Sequence, residues 1–248
     1  MTEDAAKIRL FVDAPLAEGA TLRLTAQAHY LTGVMRRGVG DALTVFNGTQ
    51  GAWRAVIRTS GKREVLAEVQ HQTAPQVDPP DLWLLFAPIK KARTDFIVEK
   101  ATELGVAQIH PVLTRYTNAE RVRTDRLQAH AVEAAEQCGG TFVPSVEAPQ
   151  KLTQLLADWP VDRHLMFCDE ARTARPVDVA LAGARGGPWA ILIGPEGGFS
   201  PDEVTALRAL PQTTPVTLGP RILRADTAAA AAITAWQMVL GDWRVEAR

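Results

Sequence analysis

Short apolar runs alternate with turn signals along roughly the first seventy residues of the chain. The runs are rich in valine, leucine and isoleucine, recur about every ten residues, and are separated in places by turn pairs such as Asn47-Gly48 and Ser60-Gly61. Short strands at this spacing predict a small β-barrel. The predicted strands are Ile8–Val12, Thr21–Leu24, Ala42–Phe46, Trp53–Ile57 and Val65–Val69.

A proline-rich segment, Thr73–Pro80, interrupts this pattern. Proline fixes φ and removes a backbone donor, so the segment predicts neither a helix nor a central strand. We therefore expect a first domain over residues 1–74, a linker over residues 73–80 and a second domain over residues 81–248.

From residue 81 onward, apolar runs alternate with helical periodicity. One predicted helix ends at Gly105, a second ends at Gly139, and further helices begin near Ser200 and Asp226. Strands that alternate with helices predict an α/β domain with a parallel sheet. Its predicted strands are Leu82–Phe86, Ala107–Leu113, His164–Cys168, Trp189–Ile193 and Val216–Leu218.

Composition narrows the class of protein. The chain has 248 residues, of which 46% are hydrophobic and 22% charged, as is typical of a folded globular protein. Two cysteines, an acidic start without an apolar signal segment, and a longest uncharged run of residues 227–241 predict a cytoplasmic protein with no membrane span. Because the formal net charge is −1, any surface for nucleic acid must be local.

The most informative segment is the loop Gly194-Pro195-Glu196-Gly197-Gly198, which follows an apolar strand directly. Glycines allow the backbone to approach a ligand closely. Ser200 and Glu203 then form a capping-box pattern that predicts the start of a helix. The loop should therefore lie at the carboxyl end of a parallel strand, where α/β proteins bind ligands, although a tight turn without a ligand is the alternative.

A second loop follows the predicted strand at Val216–Leu218. It contains Arg221 and Arg224 and leads into an alanine-rich helix, for which Asp226 or Thr227 is the expected N-cap. Two arginines in such a loop suit a phosphate group, and a solvated loop is the alternative. No metal site is predicted, because the five histidines show no metal-ligand spacing, and neither a P-loop nor a dinucleotide-binding fingerprint is present.

Together these two loops resemble the methyl-donor loops of the SPOUT class of RNA methyltransferases. The closer resemblance is to the 16S ribosomal RNA (uracil-N3) methyltransferases, the ribosomal small subunit methyltransferase E family. Its most specific motifs here are Ile193-Gly-Pro-Glu-Gly-Gly-Phe199 and Leu218-Gly-Pro-Arg-Ile-Leu-Arg224, and shorter motifs extend the resemblance over nearly the whole chain. The chain departs from the family pattern at Gly140, where arginine is expected, and at Asp226, where glutamate is usual.

The resemblance implies an N-terminal PUA-like β-barrel and a C-terminal SPOUT α/β domain with a parallel sheet and a trefoil knot, working as a homodimer. It also implies S-adenosyl-L-methionine as the methyl donor and N3 of one uridine in 16S ribosomal RNA of the small ribosomal subunit as the acceptor. The residues expected to bind the donor are Leu192, Ile193, Gly194, Pro195, Glu196, Gly197, Gly198, Leu218, Gly219, Ile222, Leu223 and Arg224.

Catalysis requires that N3 lose a proton while negative charge spreads onto the neighbouring carbonyl oxygens. We expect Arg224 to stabilise that charge in the transition state and Asp226 or Glu196 to accept the proton. The acceptor RNA should meet the basic residues Arg9, Arg36, Arg37, Lys90, Lys91 and Arg93. Two alternatives stay open: a SPOUT methyltransferase acting on tRNA or on a ribose 2′-hydroxyl, and a non-catalytic RNA-binding ribosome assembly factor.

Overall fold

A computed structural model describes residues 6–118, 122–171, 173–184 and 186–244. Contacts divide the chain into two compact units. The first contains the described residues up to Asp78 together with Ala135–Val143, and the second contains Pro79–Ala134 and the described residues from Pro144 onward. The sequence-based division at residues 73–80 assigned Ala135–Val143 to the second domain, whereas in the structure this segment belongs to the first unit.

The first unit is built on one five-stranded sheet, and all five predicted strands are present. The order is β1-β3-β4-β5-β2, with β1 parallel to β3 and the other neighbours antiparallel. The strands are β1 (Arg9–Phe11), β2 (Thr21–Leu24), β3 (Ala42–Phe46), β4 (Ala52–Ser60) and β5 (Val65–Ala74). Buried and exposed residues alternate along the strands, most clearly in β2, so the side chains on one face pack together as a hydrophobic core.

Strand β5 continues further than the proline-rich segment predicts. It includes Thr73 and Ala74, so the expectation of no strand there was wrong for these two residues. Both residues have a backbone N–H, because the first proline of the segment is Pro75. Ala74 therefore still pairs with Ala52. Gly51 is required beside this strand end, because a Cβ there would lie 2.3 Å from the Ala74 carbonyl oxygen.

The second unit is an α/β domain with a parallel sheet in the order β11-β13-β10-β12-β6-β7-β8, and β9 pairs with β7. The longer strands are β6 (Leu82–Phe86), β7 (Gln108–Leu113), β10 (His164–Cys168), β12 (Trp189–Ile193) and β13 (Thr213–Thr217). The strands β8 (Ser145–Val146), β9 (Gln150–Lys151) and β11 (Arg175–Pro176) have two residues each. The helices are α1 (Lys91–Glu103), α2 (Thr124–Cys138), α3 (Leu152–Ala157), α4 (Val177–Leu181), α5 (Pro201–Ala209) and α6 (Ala225–Val239).

The central strand β12 of this sheet is buried on both faces. All five residues of β12 are buried, as expected for a parallel strand with side chains packed on both faces. Both predicted glycine stops are confirmed, since Gly105 and Gly139 follow α1 and α2 with φ of 78° and 81°.

The predicted strand Val216–Leu218 was placed too late in the chain, because β13 runs from Thr213 to Thr217 through Pro215. In a parallel ladder, alternate residues bond to a given neighbour. The carbonyls of Gln212 and Val216 accept from Leu165 and Asp169 of the β10 side at 3.0 and 2.9 Å, so the nitrogen of Pro215 points away from β10. A proline is therefore tolerated there.

The expected N-cap of the last helix was also wrong. Helix α6 begins at Ala225 with Arg224 as N-cap, and no side chain caps it. Asp226 lies within the first turn, where its Oδ1 accepts from the backbone of Thr227 at 2.9 Å.

Candidate active site

The carboxyl ends of β6, β10, β12 and β13 meet at one edge of the parallel sheet, and a cleft of about 520 Å³ opens there. We call it the donor cleft. It is lined by Lys90, Arg93, Cys168, Asp169, Glu170, Ile193, Gly194, Pro195, Glu196, Phe199, Val216, Leu218, Arg221, Ile222, Leu223, Arg224, Ala225 and Ala228. Both loops singled out by the sequence therefore contribute to one site.

The first loop folds tightly after β12. The amide of Gly198 donates to the Pro195 carbonyl at 2.9 Å, and Gly198 has a φ of 72°. A Cβ on Gly194 would lie 2.6 Å from Cε2 of Phe199. The ring of Phe199 is buried and packs edge-on against Phe167, with centroids 5.4 Å apart. Steric space therefore excludes a side chain at Gly194, and backbone conformation favours glycine at Gly198.

The capping box at the start of α5 is confirmed and extends beyond the helix. The Glu203 carboxylate accepts from the Ser200 backbone at 2.8 Å, and the Ser200 hydroxyl accepts from the Glu203 backbone at 3.4 Å. The other oxygen of Glu203 accepts from the Arg115 backbone at 2.8 Å. This buried carboxylate thus ties the loop after β7 to the end of the first loop.

The second loop leaves its polar and apolar side chains accessible. Leu218 and Leu223 are half-buried, whereas Arg221 and Arg224 are exposed and Ile222 is 81% exposed. Within the described part of the chain, the Arg224 side chain has no hydrogen-bond or ion-pair partner. Its guanidinium is therefore available to a ligand in the donor cleft.

A charged network crosses the mouth of the donor cleft. Arg93, on α1, places Nη1 2.9 Å from Oε1 of Glu196 in the first loop. Its Nε lies 3.8 Å from Oδ2 of Asp226, in the first turn of α6. The Asp226 and Arg93 side chains are 19% and 28% exposed, whereas that of Glu196 is 53% exposed. One guanidinium therefore holds both carboxylates that the sequence suggested as proton acceptors.

Most of the residues predicted to bind the donor line this cleft. Exceptions are Leu192, whose side chain is buried in the core, and Gly197, Gly198 and Gly219, which shape the loops without lining the cavity. Gly197 lies close to Tyr116, since a Cβ there would be 3.4 Å from the Tyr116 Cβ.

Two of the six predicted RNA-binding residues, Lys90 and Arg93, also line the donor cleft. Lys91 lines a neighbouring cleft, and the remaining three residues belong to the first unit. There Arg9 donates to the Gly140 carbonyl at 2.8 Å and covers the Phe46 ring, so its guanidinium is engaged within that unit, and burial lowers its pKa. Arg36 is exposed with a φ of 52°, and Arg37 is half-buried.

The residues after β10 are part of the site, although the sequence analysis did not select them. Asp169 is buried and accepts from Arg208 at 2.7 Å, and Glu170 accepts from the Phe199 backbone at 3.2 Å. The signal was available, because these two carboxylates directly follow a predicted parallel strand. Burial raises the pKa of the Cys168 thiol to about 12, so this cysteine stays protonated and is no nucleophile at neutral pH.

Over the residues that the structure describes, no group of three or more His, Cys, Asp or Glu side chains is arranged to hold a metal ion. Within those same ranges, every helix is too short or too polar to cross a membrane.

Two families of RNA methyltransferase domains match this chain. An RNA methyltransferase domain family matches residues 77–237, and an RNA methyltransferase PUA domain family matches residues 25–70. The ribosomal RNA small subunit methyltransferase E of Rickettsia conorii is 30% identical over 91% of this chain and 93% of its own. That of Synechocystis is 32% identical over 88% of this chain and 73% of its own.

A solved structure is similar over almost the full length. The ribosomal RNA small subunit methyltransferase E of Neisseria gonorrhoeae, bound to S-adenosyl methionine, superposes with a TM-score of 0.86 at 28% identity. The match covers 95% of this chain and 99% of that one.

Proposed function

Since this chain belongs to the ribosomal RNA small subunit methyltransferase E family, we propose that it transfers a methyl group from S-adenosylmethionine to N3 of a uridine in 16S ribosomal RNA. The observation that carries this proposal is the donor cleft, in which two loops that each contain a glycine-proline pair meet beside one charged network. The relatives' names supply the class of substrate, and the chemistry of the cleft is consistent with that class.

The residues of the donor cleft fit S-adenosylmethionine. Ile193, Leu218 and Leu223 offer apolar walls for an adenine, and the backbone of the glycine loop offers hydrogen bonds without side-chain obstruction. The carboxylates of Glu170 and Glu196 line the same space and suit a cationic ligand. The volume of about 520 Å³ is in the range of small-molecule sites.

When bound, S-adenosylmethionine supplies a methyl group on a positively charged sulfur and departs as a neutral thioether. Uridine N3 must lose its proton as the methyl arrives, and the negative charge spreads onto O2 and O4. We assign Arg224 to these oxygens, because its guanidinium lines the cleft with no other partner in the described chain. A cation that acts where charge develops lowers the barrier more than it strengthens ground-state binding.

The proton acceptor in this proposal is Glu196. It lines the donor cleft, whereas Asp226 does not line the cleft and lies next to Arg93. Arg93 then acts as a positioning residue that holds the Glu196 carboxylate at 2.9 Å. Asp226, whose Oδ2 lies 3.8 Å from Nε of Arg93, helps to orient the Arg93 guanidinium.

In this proposal the enzyme is a homodimer that works on the small ribosomal subunit in the cytoplasm. The acceptor RNA approaches the site through the basic residues near it. Lys90 lines the cleft and is an exposed cation beside the reacting groups. Arg36 and Arg37 of the first unit are further basic residues that we assign to phosphates of the RNA.

The test is transfer of labelled methyl from S-adenosylmethionine to purified small ribosomal subunits that lack the modification. The RNA is then digested to nucleosides and analysed by mass. Recovery of 3-methyluridine is the expected result. Transfer to tRNA or to a ribose hydroxyl instead would support the alternative SPOUT activities, and failure to bind the donor would support a non-catalytic assembly factor.

A further inference from the structure

A second cleft of about 600 Å³ lies beside the donor cleft. It is formed by the turn after β6, the first turns of α1 and the start of α2, and we call it the flanking cleft. It is lined by Pro88, Ile89, Lys90, Lys91, Thr94, Asp95, Asn118, Val122, Arg123, Arg126 and Leu127. Because Lys90 also lines the donor cleft, the two spaces adjoin each other.

The flanking cleft is strongly basic. Four cations line it against the single carboxylate of Asp95, which is itself ion-paired with Arg126. The side chains of Lys90 and Lys91 have no hydrogen-bond or ion-pair partner among the described residues. Arg123 pairs with Asp125 at 2.6 Å, but the two side chains are 60% and 67% exposed. An ion pair that exposed contributes little, so Arg123 can turn to a phosphate at small cost.

The inner surface of the flanking cleft is apolar, and the backbone groups of Ile89 are satisfied. Pro88 and Leu127 are buried, and Ile89 and Val122 are half-buried. The Thr94 hydroxyl exchanges hydrogen bonds with both the N–H and the carbonyl of Ile89 at 3.1 Å. An apolar surface with cations at its rim matches a nucleotide, whose sugar and base pack on the floor while its phosphate meets the cations.

We propose that the flanking cleft binds the nucleotide next to the one that is methylated. Lys91 and Arg123 hold its phosphate, and Ile89 and Leu127 pack against its sugar and base. This inference rests on the proposed function, since it takes the acceptor strand to continue from the donor cleft past Lys90. Cations and aliphatic side chains do not distinguish bases, so this subsite positions the strand without specifying its sequence.

The test compares the double variant Lys91→Ala/Arg123→Ala with the native protein, using unmodified small ribosomal subunits and labelled S-adenosylmethionine. We expect KM for subunits to rise on the order of tenfold. The salt dependence of RNA binding should become shallower by about 0.7 in log–log slope, because one phosphate is no longer neutralised. The donor Kd from calorimetry should stay unchanged, because neither residue lines the donor cleft.

The matched control is Lys151→Ala/Arg175→Ala, which also removes two exposed cations of the second unit but lies outside both clefts. It should keep the native KM and salt slope. Equal behaviour of the two double variants would overturn the proposal, and so would a weaker donor Kd in Lys91→Ala/Arg123→Ala.

Direct binding to a synthetic single-stranded RNA, measured without donor, separates this inference from the proposed function. If the native protein transfers no methyl to subunits but the flanking-cleft variant alone loses RNA affinity, the proposed reaction fails and the RNA subsite stands. Exchange of the bases beside the target should leave the ratio of native to variant affinity unchanged. A ratio that depends on those bases would contradict a purely positioning role.

Discussion

Substitution of Gly194 by alanine tests whether the packing of the first loop, Gly194–Gly198, maintains the donor cleft. Gly194 follows β12 directly, and its φ does not lie in the left-handed region, so an alanine suits the backbone there. The obstacle is steric. The added Cβ would lie 2.6 Å from Cε2 of Phe199, 3.0 Å from Cζ and 3.1 Å from Cδ2.

The expected cost follows from how firmly Phe199 is held. To restore ordinary contact the ring must retreat by about 1 Å, since carbon atoms pack at about 3.5–4.0 Å. Its edge already packs against Phe167, and its backbone N–H is held by Glu170. Overpacking at such a site destabilises a protein by about 1–3 kcal/mol. We expect about 2 kcal/mol, with the donor Kd raised on the order of tenfold or more because the loop backbone moves with the ring.

The assay combines urea unfolding with calorimetric titration of S-adenosylmethionine. Gly183→Ala is the control in the same unit, because its Cβ would meet no atom within 4 Å and its φ is not positive. It should change neither the free energy of unfolding nor the donor Kd. Gly194→Ala that matched this control in both measurements would refute the packing argument.

A second substitution isolates the contact itself. Phe199→Leu alone removes aromatic packing and should cost about 1–2 kcal/mol. In the Gly194→Ala background it also removes the clash, so the double variant should be at least about 1 kcal/mol more stable than the sum of the single effects predicts. Strict additivity would mean that the two residues are not coupled as described.

Three further substitutions test the stability and chemistry of the second unit. Burial lowers the pKa of His110 to about 4. The native protein should therefore lose up to about 3 kcal/mol of stability relative to His110→Gln as pH falls from about 6.5 to 4, and the stability difference between the two proteins should not change with pH above about 7.5. Urea unfolding midpoints measured against pH test this. Arg224→Ala should lower kcat by about 10²-fold or more with an unchanged donor Kd, and equal turnover of the native and variant proteins would remove it from the mechanism. Glu203→Ala should cost about 1–3 kcal/mol in urea unfolding, because the backbone N–H groups of Ser200 and Arg115 lose their acceptor, whereas the exposed Asp202→Ala should cost less than Glu203→Ala.

The sequence was most informative where an apolar run ended at an unambiguous signal. Trp189–Ile193 was predicted with its observed bounds, because five apolar residues run straight into a glycine-proline pair. Thr21–Leu24 and Leu82–Phe86 were likewise confirmed. The capping box at Ser200 was found because its two side chains act within one helical turn. Local interactions of this kind leave a local pattern.

Elements whose pairing is decided by distant residues were not found. The strands β8, β9 and β11 have two residues each, too few to show a period of two. The shift of β13 has the same origin, because Pro215 is tolerated only through the alternation of hydrogen bonds to β10, and that register is a property of two strands. The position of Glu170 directly after a predicted strand is visible in the sequence, but its contact with the Phe199 amide in another loop leaves no local pattern.

Arg93 shows most clearly what the sequence could not provide. Its basic side chain beside Lys90 and Lys91 indicated an RNA contact, and nothing near it in the chain indicated otherwise. In the folded unit its guanidinium lies 2.9 Å from Glu196 and 3.8 Å from Asp226, which are 103 and 133 positions further along the chain. A phosphate could reach Arg93 only in competition with Glu196. Of the three basic residues beside the donor cleft that the sequence predicted to bind RNA, Lys90 and Lys91 have no such competitor among the described residues. This difference is why we propose that the acceptor strand runs along the flanking cleft while Arg93 orders the carboxylates of the donor cleft.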